Sequence, residues 1–135
     1  ATSPTKTADS SSAVTASQSQ NAEEIVATRA KARWDAIVAK DFDAAYAYLT
    51  PGTRATTSLE AYTRRLLNAS IRWTDAEVQN VSCEDADVCT ATVMVHYRVP
   101  GAAPGVGRLD GFAPVLEQWL LSDGQWFHLP AKAGR

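Results

Sequence analysis

Residues 21–49, Asn21 to Leu49, read NAEEIVATRAKARWDAIVAKDFDAAYAYL. Val26, Ala30, Trp34 and Ile37 recur at spacings of four, four and three. With about 3.6 residues per helical turn they share one face, while Glu24, Lys31 and Asp35 point elsewhere. Asn21 is a good N-cap and Glu24 stands three residues on, where it can reach back. The stretch therefore predicts an amphipathic helix that covers a sheet. Lys40-Asp41 interrupts the pattern, Asp41 can cap a short second helix over FDAAYAYL, and Pro51-Gly52 is expected to end it. Thr57 and Glu60 form a further capping-box spacing, opening a third helix with Leu59, Tyr62 and Leu66 as its buried stripe.

From Ile71 the period changes to two. Ile71, Trp73 and Asp75 alternate with Arg72 and Thr74, and the strand is expected to continue through a bulge to Val81. TATVMVHYRV, residues 90–99, alternates most clearly, with Ala91, Val93, Val95, Tyr97 and Val99 on one face. If these strands form a hairpin, Cys83 and Cys89 lie across its end with EDADV as the loop, and a disulfide between them is expected. It implies an oxidising compartment; the alternative is a pair of reduced thiols in a cytosolic hairpin. Glu84, Asp85 and Asp87 lack the glycine and the closing glutamate of a calcium-binding hand, so an acidic solvated turn is expected. PGAAPGVGRLDG, residues 100–111, matches neither nucleotide-binding glycine pattern and reads as loop. Two closing strands, Phe112–Leu121 and Gln125–Leu129, meet at a turn containing Asp123-Gly124.

Upstream, residues 1–20 hold six Ser and four Thr with Val14 as the sole large aliphatic side chain, too little apolar surface to offset ordering. They read as a disordered tether, of the kind that separates a lipid-anchored N-terminus from the folded part of an envelope lipoprotein, or as an ordinary disordered end. Residues 21–130 are then one domain and 131–135 a fraying tail. Because the chain opens on neither Met nor a signal peptide, a processed form or a fragment stripped of its targeting segment is expected.

The 135 residues and 45% hydrophobic content suit one core, and a formal net charge of −2 leaves no electrostatic footprint for nucleic acid. No apolar run reaches the roughly 18 residues of a membrane-spanning helix. Two cysteines without clustered histidines supply too few ligands for zinc, so neither metal nor cofactor is expected.

The helix motif RAKARWDAIVAKDFDAAYAYL, the long sheet and the closing hairpin EQWLLSDGQWFHL together are similar to the nuclear transport factor 2-like (cystatin-like) superfamily, over about Asn21 to Pro130. That resemblance implies an α+β, cone-shaped domain of three N-terminal helices packed on a curved, four-stranded, mostly antiparallel sheet. It implies a cavity in the cone, for which Trp34, Tyr46, Tyr62, Trp73, Tyr97, Glu117 and Trp119 are the candidate lining residues. Measured against ketosteroid isomerase, a member of that superfamily, the catalytic Tyr falls on Trp34 and the general base on Thr50-Pro51-Gly52-Thr53, where no carboxylate stands. The strand acid falls on Glu117. With two of three parts missing, no catalytic residue is assigned. Glu117 reads as an exposed strand residue, dispensable for function, with a pocket acid as the alternative; His96 and His128 read as structural or solvated.

The expected function is a non-catalytic envelope module, periplasmic or extracellular, that binds a protein partner or self-associates through its sheet. The alternative is a small-molecule-binding protein, or a lyase- or isomerase-like enzyme using the cone, with a small apolar ligand and Glu117, His96 or Asp75 as acid or base.

Overall fold

The computed structural model describes residues 3–101, 104–105 and 107–130, with side chains described from Asn21 on except at Arg108. Helix α1 spans Ser3–Val38. Asn21 therefore lies within it rather than capping it. The tether expected of residues 1–20, in its side chains, and the tail 131–135 lie outside the described residues. Three short helices follow: α2 (Phe42–Tyr46), α3 (Pro51–Thr56) and α4 (Leu59–Leu67). Four strands complete the chain: β1 (Arg72–Asp85), β2 (Val88–Pro100), β3 (Arg108–Ser122) and β4 (Gln125–Leu129). They form one antiparallel sheet in the order β1-β2-β3-β4.

The expected three helices on a cone are not the architecture found. There are four helices, of which only α1 and α4 exceed six residues, and the sheet is a single antiparallel meander. The added helix arises at Pro51-Gly52, read from the sequence as a stop. Thr50 Oγ1 accepts from Thr53 N at 3.3 Å, and Pro51 occupies the first turn, where its missing N–H costs nothing because that donor has no helical partner anyway. Ser58, not Thr57, caps α4, accepting from Ala61 N at 3.1 Å. Asp41 caps α2 as its position predicts.

The strands are longer than their alternation indicated. β1 runs on to Asp85 because shifts of register at Trp73/Asp75, Val78/Asn80 and Cys83/Asp85 absorb the breaks in its period. β3 begins at Arg108, inside the stretch read as loop. Asp123 (φ 51°) and Gly124 (φ 80°) both take positive φ, the conformation that suits the twist of a tight hairpin between β3 and β4. Tyr97 stands opposite Gly111, where an added Cβ would lie 2.8 Å from the Tyr97 ring; the glycine makes room for the ring on the inner face.

The core lies between α1 and the inner face of the sheet. Val26, Ala30, Trp34 and Ile37 are all buried, and against them pack Ala76, Ala91, Val93, Val95 and Trp119. The helix stripe thus meets the alternate residues of the strands. The segment after α2 closes the far edge: Leu49 bridges His128 in parallel, with His128 N donating to Tyr48 O (2.7 Å) and Thr50 N to His128 O (3.0 Å).

Candidate functional site

The chemistry-bearing residues concentrate where α1 crosses β3. Arg33 shares the apolar stripe, three residues after Ala30 and four before Ile37, and is buried with it. Its Nη1 donates to Glu117 Oε2 at 2.8 Å. Trp34 Nε1 donates to the same oxygen at 2.6 Å, and Trp119 Nε1 to Oε1 at 3.3 Å. Glu117 is therefore not the exposed strand residue expected: it is 3% exposed and its two oxygens receive three donors. A buried carboxylate needs such compensation, since desolvating an unpaired charge is expensive. A carboxylate so engaged is a structural lock, poorly placed to exchange protons with a substrate.

Three buried polar atoms nearby lack a hydrogen-bond partner among the described residues: Arg33 Nε, Tyr62 Oη and His128 Nδ1. Burial, reinforced by the Arg33 charge, pushes the His128 imidazole down to about 2, so it is neutral at ordinary pH. Burial raises the Tyr62 hydroxyl above its usual value, with Arg33 opposing. His128 lies against the Trp119 ring, centroids 5.7 Å apart, and belongs to the core rather than to solvent.

The seven side chains expected to line one pocket do not converge on one. Trp34, Tyr62, Glu117 and Trp119 are buried in packed interior. Tyr46 is half-buried and spends its hydroxyl on Thr57 O at 2.6 Å and Arg54 O at 3.1 Å. Tyr97 covers Gly111. Trp73 alone among the seven lines the hollow of about 190 Å³ beside the C-terminal end of α1. The remaining acid and base candidates, Asp75 and His96, lie at the surface, Asp75 3.8 Å from Lys31 and His96 3.7 Å from Glu77. Among the described residues no group of three or more His, Cys, Asp or Glu side chains could hold a metal ion.

Sequence reasoning missed Arg33 and His128 as members of this cluster. For Arg33 a signal existed: a charged residue inside an apolar helical stripe demands a buried partner, and a carboxylate flanked by core residues on a late strand is the natural one. Cys83 and Cys89 are opposed in the β1–β2 ladder and joined by a disulfide.

The outer face of the sheet has a different character. Along β3, Phe112 (65% exposed), Pro114 and Leu116 (73% exposed) point away from α1. Met94 is paired with Pro114 and His96 with Phe112 on the neighbouring strand, continuing the apolar strip. Arg98 and Asp110 flank it as an ion pair at 3.1 Å, and the His96 ring lies 3.7 Å from Glu77.

No family model matches the chain, and no curated protein matches it. Among solved structures it is similar to a SEC-C motif-containing protein from Rhodopseudomonas palustris, with 17% identity, 79% of this chain and 77% of that chain covered, and a TM-score of 0.59. It is also similar to a SEC-C motif-containing protein from Psychrobacter arcticus, with 12% identity, 73% and 54% covered, and a TM-score of 0.53. At such identities the likeness concerns the fold alone. These neighbours replace the nuclear transport factor 2-like resemblance, which rested on element order and two motifs and which no match supports.

Proposed function

We propose that the protein is a non-catalytic interaction module whose outer sheet face is covered by a second copy of the same chain. The observation that carries this is the exposed strip Phe112–Pro114–Leu116 with Met94 beside it, on a face no helix covers among the described residues. An uncovered antiparallel sheet ordinarily alternates apolar residues inward with polar ones outward. Here β3 presents apolar side chains to both sides, as an interface strand does.

Three strands spaced about 4.8 Å apart and about 13 residues long offer roughly 600–700 Å² per copy, near the ~800 Å² per partner of a stable interface. Arg98 and Asp110 are paired with each other within the face, so that pair brings no unpaired charge to a meeting of two copies. Edge-to-edge association is less suited to this end of the molecule: Pro114 lies where β3 runs beyond the reach of β4, and it has no N–H to donate.

The disulfide supports an extracytoplasmic setting, periplasmic or extracellular, where such a bond persists. Among the described residues no helix is long and apolar enough to cross a membrane.

Sedimentation equilibrium on wild type, Phe112→Lys and Leu116→Glu tests the reading. Dimers at micromolar concentration that become monomers in both variants, with unchanged melting, are the expected result. Wild type that stays monomeric up to about 100 µM, some hundredfold above a micromolar Kd, refutes self-association and leaves the face for a different protein.

A further inference from the structure

The two edges of the sheet are finished differently. Beside β4 runs the segment 48–50, and on that side the His128 backbone is paired with Tyr48 and Thr50. Beyond β1 no strand pairs among the described residues, so this 14-residue strand directs N–H and C=O groups away from the sheet. One of those acceptors is taken by a side chain. Lys31 Nζ donates to Ala76 O at 2.8 Å, with Asp35 at 3.0 Å and Asp75 at 3.8 Å around the same ammonium.

The flank of α1 that supplies Lys31 continues upstream along the same edge. Glu24, Ala27 and Lys31 follow at spacings of three and four, on one side of the helix. There the helix and the strand border an open groove of about 540 Å³, lined by Glu23, Glu24 and Ala27 from α1 and by residues 78–81 from β1. Ala27, with a single methyl group, leaves it unfilled. Neither Glu23 nor Glu24 has an ion-pair partner among the described residues. The groove therefore repeats the components of the Lys31 site, carboxylates beside an edge strand, and no lysine or arginine lines it.

Two features choose the occupant. Register shifts at Val78/Asn80 and Cys83/Asp85 break the period of β1, and Glu77, Glu84 and Asp85 stand along it, so a second β1 meets irregular spacing and like charges on this edge. The same carboxylates attract a basic segment. We propose that the β1 edge binds an extended, lysine-bearing segment of a partner protein. One lysine side chain enters the groove at Ala27 beside Glu23 and Glu24, as Lys31 enters beside Asp35 and Asp75, and the main chain of the segment lies along the strand. The groove is on the flank of α1 and at the edge of the sheet, away from Phe112 and Leu116, so the proposal is independent of self-association.

The probe is the capped peptide Thr-Lys-Val-Lys-Thr, titrated into the full chain and followed by amide NMR. The same peptide with glutamine for both lysines is the neutral match, and butylamine supplies the ammonium without a main chain. Saturable binding at about 1 mM is expected, weakening with salt, with the glutamine peptide and butylamine each at least tenfold weaker. The shifted amides should be those of residues 23–27 and 77–84. Glu23→Gln and Glu24→Gln should each weaken the lysine peptide about two- to threefold, as loss of one exposed charge contact does. Ala27→Lys places the chain's own ammonium in the groove and should weaken it at least tenfold with unchanged melting. Equal binding of the lysine peptide and either control, shifts confined to other residues, no saturation by about 10 mM, or binding unaffected by Ala27→Lys in a normally folded protein would each overturn the proposal.

Discussion

Replacing Glu117 by Gln exchanges one oxygen for an amide nitrogen in the centre of the fold and should remove a large fraction of its stability. The carboxylate is 2% exposed in its side chain and Arg33 9%, so neither can recover water without the domain opening. Glutamine keeps one acceptor oxygen for three donors and turns an N–H₂ toward one of them, placing donor against donor. Worse, the Arg33 charge remains buried with no counter-charge. Breaking a buried pair from one side costs about 3–5 kcal/mol, against about 5–15 kcal/mol for a whole domain. With a urea slope near 2 kcal/mol per molar, the midpoint should fall by roughly 1.5–2.5 M at unchanged slope. The double variant Arg33→Met/Glu117→Leu removes both charges and should recover most of the loss, giving a large coupling energy in the cycle. A Glu117→Gln protein within about 1 kcal/mol of wild type would refute the reasoning: the carboxylate would then be reachable by solvent, and the expectation that it is dispensable would stand.

Trp34→Ala should cost about 3–5 kcal/mol, since it empties a core position and removes a donor from Glu117; thermal melting decides it. Because the His128 pKa is lowered on folding, the unfolded chain binds the extra proton. Stability contributed by the neutral ring is therefore full above pH ~6.5 and falls as pH drops below it, by about 2–3 kcal/mol between pH 6.5 and 4.5. Urea titrations against His128→Gln should show that this part of the acid slope disappears in the variant. Reducing the Cys83–Cys89 bond, which spans a separation of six residues, should cost about 2 kcal/mol, read from melting with and without reductant.

What could be read from the chain beforehand was local. The stripe Val26, Ala30, Trp34 and Ile37, the alternation through Val93 and Val95, and the Asp123-Gly124 turn each express a period or a backbone preference contained in a few neighbouring residues. The lock of Arg33 and Glu117 is only half expressed locally: Arg33 stands inside the apolar stripe, but its partner is 84 positions away and nothing in the neighbourhood of either residue identifies the other. Pro51 illustrates a different failure, since the same residue that stops one helix can start the next and only Thr50's cap decides which. Likewise the cone was inferred from the order of elements, which a plain four-stranded meander with short helices satisfies equally well.

The distance along the chain between Arg33 and its counter-ion also sets a timetable for synthesis. Translation at about 5–20 residues per second separates the emergence of Arg33 from that of Glu117, 84 positions later, by about 4–17 s. Through that interval the arginine has no carboxylate, and until β1 and β2 have been made the apolar face of α1 has no strand to cover it either. β4, which seals the edge beside Leu49, is made later still. The nascent helix is thus a natural client for a holdase, and closure of the domain is deferred until nearly the last strand has left the ribosome.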